Sequence, residues 1–419
     1  MIKFKFTKNL FIILLSLAVI CAIFILYEPD KKEGGLSKNS YVNISADVKD
    51  FESRHFVSFD DLKYYFQELA RKKRADYAFE VLKVASVPPD TDMHLLAHAV
   101  GDVLYKQEGL NGIKICTNDF RNACSHSIVV GLFYDRGDGA FPEIAQACRQ
   151  APGGKGAYTM CFHGLGHGIL AALGYDLEKA IDFCKKTGTS EYGHNESSQC
   201  VGGTIMEIVG GGDHDRELWS KQRTKYLTSD NPLYPCNADF MPAPARYLCY
   251  SYLTPNFFDA VGGNRGHPTS DDFKKSFKLC NKLPIQDKSN RNACYGGFGK
   301  EFIGLVQSRD IRRDSVASIT DEQLDQIYRW CQLADNKEGV AACILQGLSS
   351  LYWGGENDPQ PSFRFCGLID DQYFQQSCYR QLVSSAFYYS KEPDYLKSFC
   401  QKLPDSYRGD CLARTANIK

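Results

Sequence analysis

Hydrophobic residues follow three rhythms along this chain. From Leu10 to Tyr27 they are nearly continuous, about the minimum needed to cross a bilayer as a helix. From Asp30 to about Ser53 they thin into a stretch rich in Lys, Gly, Ser, Asn and Asp, which reads as a spacer. Beyond it they recur at helical spacing in segments separated by polar turns. Phe59-Asp-Asp-Leu-Lys-Tyr-Tyr-Phe-Gln-Glu-Leu-Ala70 predicts a helix capped by Ser58. Ala75 to Ala85 predicts its partner, ended by Pro88-Pro89, and Met93 to Tyr105 predicts the first helix of the next pair. Further on, Asp176 to Cys184 and Glu322 to Cys331 each read as a second helix ending at a cysteine, with Thr320 and Gln323 as a capping box. Cys378 to Tyr389, a turn at Ser390-Lys-Glu-Pro393, and Asp394 to Cys400 repeat the theme.

The cysteines put a period on this pattern. There are 17, of which Cys21 lies in the apolar segment. The other 16 are Cys116, Cys124, Cys148, Cys161, Cys184, Cys200, Cys236, Cys249, Cys280, Cys294, Cys331, Cys343, Cys366, Cys378, Cys400 and Cys411. Their separations alternate without exception between short gaps of 7 to 15 residues and long gaps of 21 to 36. The long gaps carry the helical pairs and the short ones are polar loops. Each unit is therefore expected to be a helical hairpin, with the cysteine that ends one second helix bonded to the cysteine that opens the next first helix. That local rule predicts the pairs 116–124, 148–161, 184–200, 236–249, 280–294, 331–343, 366–378 and 400–411. Closing loops of this size stabilises a fold by about 3 kcal/mol each, mainly by restricting the unfolded chain.

An even set of cysteines in a disulfide framework implies an oxidising compartment, and the N-terminus agrees. Lys3, Lys5 and Lys8 precede the apolar run, while Glu28 and Asp30 follow it, so the positive-inside rule places the short N-terminus in the cytoplasm. A cleaved signal peptide is the competing reading. No small-x-small cleavage site precedes Tyr27, and Ile20 before Cys21 is too bulky for a lipoprotein signal, which favours an uncleaved anchor. The expected layout is a cytoplasmic stub (1–9), a transmembrane signal anchor (10–27), a spacer (28–54), helical repeats with a histidine cluster (55–235) and further stapled repeats (236–419), the bulk lying in a periplasm, at a cell surface or in a lumen. Net charge is −1 with no long basic run, which argues against nucleic acid as a partner.

Gly131-Leu-Phe-Tyr-Asp-Arg-Gly-Asp-Gly139, with the flanking Cys116 and Cys124, resembles disulfide-stapled Sel1-like repeats, relatives of tetratricopeptide repeats. The resemblance implies an all-α architecture, an α-solenoid of helical hairpins, and a binding role on its concave face; it transfers no catalytic residue. Loop lengths elsewhere vary more than in that family, and the histidines are no part of it.

Five of the nine histidines occupy repeated positions. In Cys161-Phe-His-Gly-Leu-Gly-His-Gly168 the histidines lie two and six residues after the cysteine, Cys124-Ser-His126 repeats the first step, and His94-Leu-Leu-Ala-His98 repeats the four-residue spacing. Residues four apart share a helix face, so stacked hairpins would bring His94, His98, His126, His163 and His167 to one stripe. Asp102 lies one turn further along, and Glu207 falls at the matching place in the next unit. Such a set suits a three-histidine site or two metals bridged by carboxylate, and nitrogen donors favour zinc, iron or copper over calcium or magnesium. The metal would activate water or dioxygen, as in a metal-dependent hydrolase or oxidase, with Glu207 or Asp102 as ligand or base. The plainer reading is that these histidines bond neighbouring helix ends and that Gly164, Gly166 and Gly168 let helices approach closely. Glu301 recurs at the position of Glu207 with no histidine nearby, which makes a repeat-design role for the glutamate the plain alternative. His55, His194, His214 and His267 read as surface residues. Val209-Gly-Gly-Gly-Asp-His-Asp215 lacks the spacing of a phosphate loop, and there is no GxSxG elbow. Two other classes stay open: a non-catalytic scaffold for a protein, peptide or glycan, and a metal store at the cell surface.

Overall fold

Polar caps decide where the helices begin. Ser58 Oγ accepts from the Asp61 amide while the Asp61 carboxylate accepts from the Ser58 amide, which starts α2 (Phe59–Lys73) with two of its orphan donors satisfied. Thr320 and Gln323 do the same for α16 (Asp321–Cys331), as the sequence predicts. The computed structural model describes residues 43–152, 154–187, 196–212, 215–354 and 357–416. Every regular element in them is helical. The segment 10–27, the N-terminal stub, His194 and His214 lie outside the described residues. Among the described residues no helix is long and apolar enough to cross a membrane.

In chain order the other helices are α1 (Ser45–Glu52), α3 (Ala75–Val84), α4 (Met93–Glu108), α5 (Asp119–Arg136), α6 (Phe141–Gln150), α7 (Gly154–Ala172), α8 (Leu177–Cys184), α9 (Glu196–Gly210), α10 (Arg216–Tyr226), α11 (Arg246–Tyr252), α12 (Thr254–Ala260), α13 (Ser270–Cys280), α14 (Lys288–Val306), α15 (Arg313–Ala317), α17 (Lys337–Gly354), α18 (Gln360–Leu368), α19 (Gln372–Tyr389), α20 (Pro393–Gln401) and α21 (Asp405–Thr415). The first helices of successive units form one row, in which α4, α5, α7, α9, α11, α14, α17 and α19 each pack against the next. The second helices flank that row. One apolar core runs from Phe51 to Cys411 without a break at residue 235.

All eight expected disulfides are present, with Cα–Cα distances from 5.4 to 5.7 Å. Their placement differs from expectation in one respect. The second cysteine of a pair does not open the next helix but lies one to two turns inside it, as Cys161 does in α7 and Cys294 in α14. Where both cysteines are helical, as in Cys148–Cys161 and Cys280–Cys294, the staple therefore joins two helix bodies. Two further corrections concern boundaries. The spacer read over 28–54 ends sooner, because Ser45–Glu52 is a helix that buries Phe51 against Phe56, Tyr65 and Phe66. And α10 stops at Tyr226, ten residues short of Cys236, which lies instead in a turn-rich segment.

The row of first helices curls back on itself. Lys155 near the start of α7 sits over the Tyr388 ring of α19 at 4.6 Å, and α19 packs directly on α7. Arg312 donates to the carbonyls of Lys83 and Ala85 at 3.3 and 2.7 Å, bridging more than 220 residues of sequence. Arg121 of α5 lies over Trp353 of α17 at 6.0 Å. Distant units of the row are thus in direct contact, and a cavity opens beside the histidines.

Candidate metal centre

The histidines come together because each helix of the first row supplies them from the same face. The four-residue spacing stacks His94 over His98 on α4 and His163 over His167 on α7, and His126 enters from α5 between them. All five ring centroids lie close to one another, with separations of 4.6 Å for His94–His98, 5.1 Å for His163–His167 and 5.4 to 6.0 Å from His126 to the other four. Every one of them is buried. Gly164 makes the room: a Cβ there would stand 2.4 Å from the His126 ring.

Backbone strain helps to aim the first pair. Phe120, Arg121 and Asn122 all adopt left-handed conformations at the start of α5, with φ of 55°, 56° and 65°. For non-glycine residues each such conformation costs about 1 kcal/mol or more. The turn they make points the Phe120 carbonyl at His94 Nδ1, 2.7 Å away. A carbonyl only accepts, so Nδ1 of His94 carries the ring proton and Nε2 carries a lone pair.

The same deduction holds for His98. Ser127 Oγ gives its single proton to the His98 carbonyl at 2.9 Å, and so accepts from His98 Nδ1 at 3.2 Å. Nε2 of His98 is again the unprotonated nitrogen. These two lone-pair nitrogens face each other at 3.2 Å. On the second pair, His167 Nδ1 donates to the Glu207 carboxylate at 2.9 Å, and its Nε2 lies 3.3 Å from His163 Nε2. His163 Nδ1 looks toward the Gln199 carbonyl, which favours a proton there, without reaching hydrogen-bond geometry. His163 Nε2 also lies 3.4 Å from Met206 Sδ. His126 is fully buried and neither of its ring nitrogens has a hydrogen-bond partner.

Burial dominates the titration of His94, His126 and His163. It drives His94 down to about 3, helped by His167 and opposed by the Phe120 carbonyl. Burial likewise holds His126 and His163 well below the ordinary histidine range, with the surrounding imidazoles pushing the same way. An extra proton on His94 is therefore opposed by its burial. A cation fits: ligand nitrogens on tetrahedral zinc stand about 3.3 Å apart for bonds of about 2.0 Å. The chelating atoms of His94, His98 and His126 all lie within 4.8 Å of one another. A proton-donating contact on the far nitrogen, to a carbonyl, hydroxyl or carboxylate, is also the usual support behind a metal-bound histidine.

The two carboxylates expected to serve as ligand or base are placed differently. Glu207 is buried behind His167, accepting from its Nδ1 through Oε2 and from the Gly212 amide at 2.8 Å through Oε1. It is a positioning residue for the imidazole. Asp102 is half-buried and its charge bears on the Tyr134 hydroxyl, whose pKa is raised by burial and by Glu207 and Asp102. His55 and His267 are exposed, as expected, and His267 lies 3.8 Å from Asp90. Glu301, the counterpart of Glu207, pairs instead with Lys300 at 3.1 Å and Arg309 at 3.8 Å.

A cavity of about 820 Å³ opens beside the cluster, lined by His94, His167, Met206, Glu207, Tyr252 and Lys300 among others. The Lys300 ammonium sits over the Tyr252 ring at 4.9 Å and is pulled below its usual pKa, first by burial, against the pull of Glu301. Tyr252 in turn packs on His163 at 5.1 Å. Lys300 is not singled out by the sequence as a site residue, because it reaches the histidines only through helix packing. Comparison of the chain with protein-family models, with curated proteins and with solved structures finds no match.

Proposed function

We propose that this chain is a membrane-anchored, extracytoplasmic α-solenoid of the Sel1-like, disulfide-stapled kind, and that His94, His98, His126, His163 and His167 hold a transition metal, zinc, iron or copper. The metal serves as the centre of a hydrolase or oxidase, activating water or dioxygen for molecules that enter the adjoining cavity. One observation carries the reading: Nε2 of His94 and Nε2 of His98, each with its ring proton committed on the opposite nitrogen, meet at 3.2 Å in a buried site. Two lone pairs repel at that distance, and burial opposes the proton that would relieve them. A metal ion relieves them directly. The anchor reading rests on the apolar run 10–27 with its flanking charges, and the extracytoplasmic reading on eight disulfides.

Metal analysis tests the proposal. The ectodomain, produced in an oxidising compartment, is expected to retain at least one equivalent of zinc, iron or copper after dialysis against a weak chelator. His94→Ala/His98→Ala is expected to retain less metal than the wild type while keeping its disulfides. Wild-type protein that retains none of the three metals after reconstitution overturns the proposal.

A further inference from the structure

The cluster has more donors than one ion uses, and they are grouped. The two Nε2–Nε2 approaches, 3.2 Å on α4 and 3.3 Å on α7, are separate chelating pairs on separate helices. Each has a third donor from the next first-row helix. For His94 and His98 it is His126 on α5. For His163 and His167 it is Met206 on α9, whose sulfur lies 3.4 Å from His163 Nε2.

The repeat explains the grouping. Counted from the repeat cysteine, His163 and His167 are at +2 and +6 of their unit and Met206 is at +6 of the following one. His94 and His98 hold the corresponding places of the first unit, and His126 is at +2 of the second. In both cases the third residue comes from the next helix of the row, but from +2 at His126 and from +6 at Met206. The thioether changes the chemistry. Sulfur from methionine is a soft donor that selects Cu(I), whereas three imidazoles accept zinc, iron or either state of copper. Met206 is half-buried and lines the cavity, so the soft site faces the same space as His94 and His167.

We infer that the cluster is two metal sites, a three-histidine site at His94, His98 and His126 and a softer site at His163, His167 and Met206, and that the second prefers reduced copper. This rests on the metal reading above and adds to it the number of ions and the role of Met206. Copper supplied as Cu(I) under anaerobic conditions to the ectodomain, in competition with a chromogenic Cu(I) chelator, is expected to occupy two equivalents per chain. X-ray absorption of that sample should show sulfur in the copper shell. In protein grown with selenomethionine the sulfur signal should become selenium. Met206→Leu, close in volume, should weaken one equivalent about tenfold or more and remove the sulfur or selenium signal, leaving the other equivalent unchanged. His98→Ala should lose the opposite equivalent and keep the sulfur. Copper bound with nitrogen alone, or a single equivalent, overturns this inference and leaves the metal proposal standing. Absence of any bound metal overturns both.

Discussion

The contact between α7 and α9 and the contact between α14 and α17 are built alike, yet only one carries histidines. In the first, a Cβ on Gly166 would stand 2.0 Å from the Cys200 carbonyl; in the second, a Cβ on Gly299 would stand 2.0 Å from the Cys343 carbonyl. Both glycines are five residues after their repeat cysteine. At +2 and +6 the two contacts part company, with His163 and His167 on α7 but Gly296 and Lys300 on α14. Glycine therefore belongs to the way this repeat packs. The clustered histidines are an addition to three of the helices, α4, α5 and α7, with Met206 and Glu207 answering from α9. The two readings of the glycine-flanked motif separate along that line: Gly166 is there for helix approach, while Gly164 clears space for the His126 ring.

The comparison is open to attack at several strengths. Gly166→Ala and Gly299→Ala each press a methyl into a backbone carbonyl that cannot step aside, and each should cost about 3 kcal/mol or more, seen as a similar fall in thermal unfolding temperature. Metal content should fall for Gly166→Ala only. If either substitution is neutral, the two contacts are not equivalent. Removing a staple should come next: Cys148→Ser/Cys161→Ser and Cys400→Ser/Cys411→Ser each forfeit about 3 kcal/mol, but only the first, which positions α7, should also weaken metal retention. Equal metal loss from both would mean that the histidine region is not a separate addition. Glu207→Gln leaves an acceptor for His167 but takes away its charge, so metal affinity should drop about tenfold with little change in unfolding temperature. Glu301→Gln, at the same repeat position, should leave metal affinity untouched, and a metal effect there would break the contrast. The smallest effect is expected at Gly304, where a Cβ meets nothing within 4 Å. Gly304→Ala should raise stability by up to about 1 kcal/mol through helix propensity alone.

Most of the architecture was legible in one dimension because disulfides in this chain are local. The alternation of cysteine gaps predicts all eight bonds, and the capping pairs at Ser58 and Thr320 stand where expected. Helix starts relative to the cysteines were misjudged, since a staple holds two helix bodies as well from the second turn as from the first. The spacer was read too long because a single buried aromatic, Phe51, is enough to dock a short helix whose other residues are mostly polar.

The site was half legible. Spacing alone puts His94 over His98 and His163 over His167, because a helix returns to the same face every four residues whatever surrounds it. What the chain could not display is what stands behind each ring. The left-handed turn at Phe120, the proton taken from Ser127 by the His98 carbonyl, and the burial of Glu207 behind His167 all depend on how neighbouring helices cross. Those crossings turn Glu207 from a candidate base into a support, and they bring Met206, Tyr252 and Lys300 to a cluster from which they are far removed in sequence. Periodicity and cysteine spacing are local quantities and were determined by the sequence itself. Which nitrogen keeps its proton is settled by contacts between neighbouring helices of the row, and these depend on how the helices cross.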